Sequence, residues 1–449
     1  MSIGINKKDI FLRFVSYLEQ QKILYCVVGD ARKFPNQIDS DVDIVIPEKF
    51  SGDSSRLVNE FARVAGVQLV QQVRHERNAW SFTLYWNNCD GVAEFIQLDI
   101  CGDYLRSGKL YLKAEILLCG REKAKNKSGG ERGFYVPAPE KELLFYLLKK
   151  VSKGQISVQQ IQHLKEEYFK SPEASELMLR NFWADEDVRR IVSGIKSSDV
   201  NSMLTILPQL KKGMKRRERI SLRNIIGEFV RLVGRVMRPT GLMVVMLGPD
   251  GVGKSSVGDG VFNTQKAVFS GQQERIHLRP RIIKRKDSGS KDSVTVTDPY
   301  ADESRGGVAS SAKIIFFLFD YIVGYLLVVW PLLVRNGFVI FDRYYYDLFL
   351  DPRRYRYGGK IWLARFAGHF VPKPDLIIVF DASVDVIHAR KQEVTAEQTE
   401  LQRFSYRKFS EHEKNCSVIN AEQPIEQVVR DVNQVILGYL VKRNNKRFG

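Results

Sequence analysis

Two stretches of this chain combine residue types and spacings that could do chemistry. The first is Gly248-Pro-Asp-Gly-Val-Gly-Lys-Ser255, which satisfies G-x-x-x-x-G-K-[ST] directly after the apolar run 241–247. Gly248, Gly251 and Gly253 let backbone N–H groups turn inward around phosphate oxygens, and a helix starting there points its positive end at them. In such a loop Lys254 reaches the outer phosphates of ATP and the Ser255 hydroxyl ligates Mg2+, with Ser256 completing the phosphate-binding set. The second stretch, 38–47, reads Ile-Asp-Ser-Asp-Val-Asp-Ile-Val-Ile-Pro. Alternation along a strand puts Asp41 and Asp43 on one face, where two carboxylates can hold a divalent cation.

The elements that must position these groups follow from periodicity. Runs 23–30, 41–47, 81–86 and 93–101 are rich in β-branched and aromatic residues and read as strands. Run 56–66 reads as a helix closing on Gly66, and 125–133 reads as a loop. From Pro139 to Pro239 the helix signal dominates. The segment from Pro139 opens with acids and closes with lysines and Gly154, as helix ends prefer. From Gly241 onward the pattern is βαβ, and the near-continuous apolar runs 241–248, 338–343 and 374–382 predict a parallel sheet covered on both faces. The expected fold class is α/β: an α+β domain over 1–135, a helical section with a basic linker helix over 136–239, and a phosphate-loop domain with a parallel sheet over 240–449.

Bulk properties bound the function. With 449 residues, 44% hydrophobic and 11% aromatic, the chain can build two or three cored domains and is not disordered. The net charge of +17 favours anionic partners: nucleotides, an acidic membrane surface or, least favoured, nucleic acid. Five scattered cysteines without a C-x-x-C pair, and a start without an apolar signal core, point to the cytoplasm, with the inner face of a membrane as the other location. Run 314–334 is long enough to span a bilayer but contains Asp320 and Pro331, so the expected reading is a buried helix, the minority one a helix on a membrane surface. In 210–239, Leu222, Ile225, Ile226, Phe229, Val233 and Val236 form one stripe and Arg231, Arg235 and Arg238 share another face. A docked linker helix is the expected reading there, a membrane-surface helix the alternative. The six histidines lack metal spacing, and no nucleophile triad is present.

The loop 248–256, together with Asp342-Arg343-Tyr344 and the run 374–393, resembles thymidylate kinase and its relatives among the nucleoside monophosphate kinases, over about residues 241–440. The resemblance implies that Asp250 approaches the phosphate acceptor, Asp342 supports the Mg2+ shell and Arg343 holds the acceptor's anionic group. It also implies that Arg390, Lys391 and Arg403 belong to a basic lid over ATP. The sequence departs from that family after Tyr344, where Asp347, Asp351, Arg353, Arg354 and Arg356 follow, and in the basic segment 274–286 with Arg279, Arg281, Lys284, Arg285 and Lys286. An arginine-rich pocket suits a more anionic or larger acceptor than dTMP. The alternative is that these arginines pair with Asp347 and Asp351. Similar chains are associated with bacterial surface polysaccharides, an analogy at the level of fold.

The region 27–47 resembles the polymerase-β-like nucleotidyltransferases, with Gly29 followed at a fitting distance by Asp41-Val-Asp43-Ile. That resemblance implies Asp99 as a third carboxylate of a two-metal site. Asp30 stands where the family uses serine or glycine to cradle a triphosphate, and an aspartate there would repel it. The leading expectation is therefore an ATP- and Mg2+-dependent kinase acting on a nucleotide-like or other anionic acceptor. Nucleotidyl transfer at Asp41, Asp43 and Asp99 is the second reading, and a non-catalytic nucleotide-gated binder of membrane or nucleic acid the third. Oligomeric state is not legible.

Overall fold

Alternating apolar residues near the N-terminus build a mixed five-stranded sheet in a computed structural model that describes residues 5–39, 41–126, 129–216, 219–280, 306–391 and 394–448. Its strands are β1 (Cys26–Val28), β2 (Val42–Val45), β3 (Gln68–Glu76), β4 (Ala79–Asn87) and β5 (Ala93–Cys101), in the order β1-β2-β5-β4-β3. The pair β2–β5 is parallel and the others antiparallel. α1 (Lys7–Gln20) starts at Asn6, whose side chain accepts from the Asp9 N–H while the Asp9 carboxylate accepts from Asn6 N–H. Beyond the short α2 (Glu48–Ser51), α3 (Ser54–Ala65) ends on Gly66 at φ 71°, the left-handed stop its sequence predicts. Phe11, Phe14 and Phe61 of these helices pack on Val27, Ile44, Phe82 and Leu98, one face of the sheet.

The other face is closed by helices. After β6 (Tyr104–Arg106), β7 (Lys109–Leu112), α4 (Ala114–Leu118) and the hairpin β8 (Glu122–Lys125) to β9 (Glu131–Val136) come α5 (Pro139–Lys153), α6 (Val158–Lys170), α7 (Pro172–Arg180), α8 (Asp185–Ser197) and α9 (Val200–Arg216). The expected loop 125–133 is thus narrower, since Lys125 and Glu131 are already paired strand residues. Cys26, Val28 and Val45 share a core with Leu143, Leu147 and Ile161, so the helices complete the sheet's second face. The two-residue β10 (Arg219–Ile220) and α10 (Leu222–Met237) follow.

The chain divides into two compact units, one running to Gly234 and taking in the residues from Asn444, the other Arg235–Arg443. The second unit carries five parallel strands in the order β12-β13-β11-β14-β15: β11 (Leu242–Leu247), β12 (Gln273–His277), β13 (Phe338–Asp342), β14 (Leu376–Asp381) and β15 (Cys416–Asn420). All six residues of β11 are buried, which matches its unbroken apolar sequence and its central place. Around the sheet lie α11 (Lys254–Gln265), α12 (Gly307–Gly324), a π-helical turn (Tyr325–Val329), α13 (Trp330–Val334), α14 (Asp347–Leu350), α15 (Ile361–Gly368), α16 (Val384–Arg390), α17 (Ala396–His412) and α18 (Ile425–Phe448). Successive strands leave β11 first toward β13 and β12, then toward β14 and β15. That reversal makes the carboxyl end of β11 the switch point where such sheets bind ligands.

One expectation is corrected. Run 314–334 is not a fully buried helix: Ile314, Phe317 and Tyr321 are buried, while Ile315, Phe319, Ile322 and Leu326 are exposed. On α10, Leu222, Ile226 and Phe229 are exposed, while Glu228 is buried and Arg231 binds both Glu228 and the Arg74 carbonyl. Of the basic segment 274–286, Arg281, Lys284, Arg285 and Lys286 lie outside the described residues.

Candidate functional site

The phosphate loop stands at the carboxyl end of β11. Gly248, Gly251 and Gly253 have φ of 143°, 80° and 101°, a region that side-chain-bearing residues rarely adopt. A Cβ on Gly248 would also lie 2.6 Å from the Phe380 carbonyl oxygen, so its neighbour strand leaves no room. α11 begins at Lys254, with Gly253 as its N-cap. Lys254 is buried and its ammonium donates to the carbonyls of Gly248 at 2.8 Å and Pro249 at 2.6 Å, curling over its own loop. Ser255 and Ser256 are exposed in the first turn. The six residues expected to hold phosphate therefore sit together at one helix N-terminus.

Asp342 ends β13, in register with Met246 of β11. Its Oδ2 accepts from Arg275 at 2.6 Å, and its Oδ1 is buried with no hydrogen-bond partner. One oxygen of this carboxylate thus fits a metal shell, while the other is already neutralised by an arginine that sequence reading did not single out. Arg343 is 4% exposed and sits at φ 71°, a strained conformation for a residue with a side chain. Its guanidinium pairs with Asp250 inside the loop and lies 3.5 Å from Asp347. Arg354 pairs with the other oxygen of Asp250. The expected acceptor residues Asp250 and Arg343 are brought together, but onto each other. Asp347 is fully buried, accepting from the Tyr344 N–H at 2.8 Å and from the Tyr406 hydroxyl, so the Arg343–Asp347 pair is interior. Asp351 accepts from Gln402 at 2.9 Å.

The expected lid residues diverge. Arg390 lies beside the loop, donating to the carbonyls of Val252 at 3.3 Å and Ala421 at 2.9 Å. The Lys391 side chain approaches Gly251. Arg403 instead binds Asp381 at 3.0 Å, and Arg407 binds the other Asp381 oxygen. Asp381 ends β14 as Asp342 ends β13, and the paired arginines on α17 could have been sought from that placement. Arg279 does not join the loop either: it pairs with Asp320 of α12 at 2.8 Å and lies over Phe316 and Phe317.

In the first unit, Asp41 precedes β2, and Asp43 on β2 stands in register with Asp99 on β5. Ligand oxygens of the three carboxylates lie within 4.8 Å of one another, a set that fits a divalent cation. Burial first, then the Asp43 and Asp41 charges, push the Asp99 carboxyl up to about 7. Lys149 on α5 donates to Asp43 at 2.8 Å, and although burial acts to lower it, that carboxylate outweighs burial and raises its ammonium above the usual range. Gly29 has φ 90°, and a Cβ there would stand 3.6 Å from Asp43 Oδ2. Its N–H donates to Glu142 Oε1 at 2.8 Å, and His163 bonds the same oxygen at 3.1 Å. Asp30 is held by both arms of the Arg32 fork, which also reaches Glu166. Burial alone would raise the Asp30 carboxyl, but Arg32 and His163 outweigh it and hold it below its ordinary value. Glu142, Lys149 and His163 carry no motif and were legible only once α5 and α6 were folded onto the sheet.

Two cavities complete the picture. One of about 380 Å³ borders Gly29 and is lined by Arg32, Lys123, Lys125, Arg132 and Lys170. The other, about 580 Å³, lies between α15 and α17, with Phe349, Phe404 and Phe409 beside Arg365 and Lys408. Lys373 and Glu413 also line it. A scan against protein-family models finds no match for this chain, and a search of curated proteins finds none either.

Proposed function

We propose that the second unit is an ATP- and Mg2+-dependent phosphotransferase of the thymidylate kinase type, acting on a nucleotide-like or other anionic acceptor. The observation that carries this reading is the loop itself. Three left-handed glycines, a buried lysine and two exposed serines meet at the start of α11, at the switch point of a parallel sheet. In this reading Lys254 exchanges the Gly248 and Pro249 carbonyls for β- and γ-phosphate oxygens. Ser255 and Asp342 hold Mg2+, which spreads the phosphate charge when bound. Arg390, already against the loop, supplies positive charge beside the transferring group. Asp250 and Arg343, paired in this state, part to receive the acceptor. Arg343 then takes the acceptor's anionic group, and Asp347 and Tyr406 keep its base in place.

The test is transfer of label from γ-labelled ATP across a panel of phosphorylated sugars, nucleotides and other anionic acceptors. Transfer that disappears in Lys254→Ala supports the reading. A folded wild-type chain that moves no label to any acceptor, or Lys254→Ala with full activity, removes it.

A second reading, nucleotidyl transfer by the first unit, is favoured by the three clustered carboxylates and the adjacent cation-lined cavity. Against it, the Gly29 amide is already bound to Glu142, and the neighbouring Asp30 adds negative charge where a triphosphate would lie. Label moving from the α-position of a nucleoside triphosphate, and lost in Asp41→Asn with Asp43→Asn, would select this reading.

A further inference from the structure

We infer that the second unit rests on an anionic phospholipid surface through the outer stripes of α12 and α15. The inference goes beyond phosphate transfer and does not depend on it.

Between Ser310 and Val334 the chain carries only two charged residues, Lys313 and Asp320. Four polar groups of this run turn toward the protein. Ser310 Oγ accepts from the Gly358 N–H at 3.1 Å, Lys313 donates to the Tyr355 carbonyl, Asp320 pairs with Arg279, and Tyr321 donates to the Leu278 carbonyl. The opposite side is apolar throughout. Ile315, Phe319, Ile322 and Leu326 recur at steps of four, three and four, a single helical stripe, and each is between 39% and 69% exposed. α15 packs against α12 and repeats the pattern: Trp362 and Phe366, followed just beyond its end by Phe370, recur every four residues, all more than half exposed. At roughly 200 Å² per aromatic side chain, Phe316, Phe319, Trp362, Phe366 and Phe370 alone present about 600 Å² of apolar surface, the upper end of what a monomer shows water.

An ordinary surface helix turns its apolar side inward and a polar side outward, whereas α12 buries Ile314, Phe317 and Tyr321 and is apolar on its outer side as well. On α10, too, large apolar side chains are exposed, among them Leu222, Ile226 and Phe229. A bilayer interface rewards that arrangement. The run 310–334 lies on the surface and does not cross it, because its start, middle and later part are each fastened to the second unit. Ser310 meets Gly358, Asp320 meets Arg279, and Gly324 abuts Pro280.

Charge selects the occupant. Arg335, Lys360, Arg365 and Lys373 are exposed along or just beyond these segments, and the chain carries +17. Two copies face to face would bring these cations together, whereas anionic headgroups neutralise them while the rings enter the headgroup layer.

The experiment is co-sedimentation of the full chain with vesicles of phosphatidylcholine alone, or with phosphatidylglycerol as one lipid in three. Wild type should pellet with the anionic vesicles and remain largely in solution with the neutral ones. Two variants test the face: Phe319→Ser with Leu326→Ser, and Trp362→Ser with Phe366→Ser. Each should lower partitioning by about tenfold or more and leave the melting profile within the wild-type range, since all four side chains are exposed. No pelleting with anionic vesicles, or equal pelleting of wild type and both variants, overturns the inference. So does a concentration-dependent dimer in sedimentation velocity that the same substitutions abolish, which would assign the face to a second copy.

Discussion

Lys149 holds the carboxylate cluster of the first unit together in the absence of a divalent ion, and Lys149→Met exposes what that requires. The three carboxylates place oxygens within 4.8 Å of one another, and at an effective dielectric of about 20 each ionised pair repels by at least about 3.5 kcal/mol. The Lys149 ammonium, 2.8 Å from Asp43, offsets this with a gross attraction of about 6 kcal/mol on the same scale. Both partners keep some contact with water, at 21% and 30% side-chain exposure. The net loss on removing the lysine is therefore set at about 2 kcal/mol, below the ~3–5 kcal/mol of a fully buried pair. For a unit of this size that is about 4–8 °C of melting temperature. A divalent ion need not displace an ammonium in the variant, so its affinity should tighten by about tenfold, worth ~1.4 kcal/mol. The assay is thermal unfolding in EDTA and across a Mn2+ titration. The variant should melt lower than wild type in EDTA and gain more from Mn2+, and Asp41→Asn with Asp43→Asn should erase the gain. A variant that melts with wild type in EDTA and responds no differently to Mn2+ would refute the reasoning.

Further expectations follow from the same geometry. Asp99 is raised to about 7 from 3.8, so the folded chain keeps a proton that the unfolded chain releases. Its contribution to metal-free stability is full below about pH 4 and is lost as pH rises toward 7. Divalent affinity, which needs the ionised carboxylate, rises over the same range and levels off above it, and a flat Mn2+ affinity between acid and neutral pH would contradict the assignment. Gly248→Ala must push the backbone of β14 and should destabilise the second unit by about 2–4 kcal/mol. Gly253→Ala meets open space, with its nearest contact at 3.9 Å, and should lose only about 1–2 kcal/mol of left-handed strain while still weakening ATP binding. Equal unfolding midpoints for the two variants in denaturant would count against this. Asp250→Asn frees Arg343 and Arg354 from their carboxylate. On the proposed reading, in which Asp250 approaches the acceptor, it should slow phosphotransfer at least tenfold but leave the ATP dissociation constant within about threefold. Loss of ATP binding in that variant would reassign Asp250.

How much of this was legible in the sequence depends on where each signal lives. β11 is announced by six buried residues in a row and a glycine loop behind it, both local patterns. The edge strand β12 reads Gln-Glu-Arg-Ile-His, only partly buried, so no apolar run marks it. β3 was missed because Gln71 and Gln72 are buried within it, and buried glutamines break the expected alternation. The carboxylate triad was legible as a motif, whereas Lys149, Glu142 and His163 arrive from helices whose local sequence speaks only of helix. On α10 periodicity located an apolar stripe; run 314–334 read as a buried apolar helix, and its sequence did not show that Ile315, Phe319 and Ile322 lie exposed while Ile314, Phe317 and Tyr321 are buried. Which stripe turns inward is decided by partners such as Arg279 and Arg74, distant in sequence.

The central claim is that Lys254 and the amides around it grip the phosphates of a nucleoside triphosphate. Titration calorimetry of ATP with Mg2+ tests it most directly, using an Asp41→Asn, Asp43→Asn background so that the first unit contributes no metal-dependent heat. That chain should bind ATP, and the further change Lys254→Ala should abolish the heat without unfolding the second unit. Absence of heat before Lys254 is changed, or undiminished heat after it, would contradict the account.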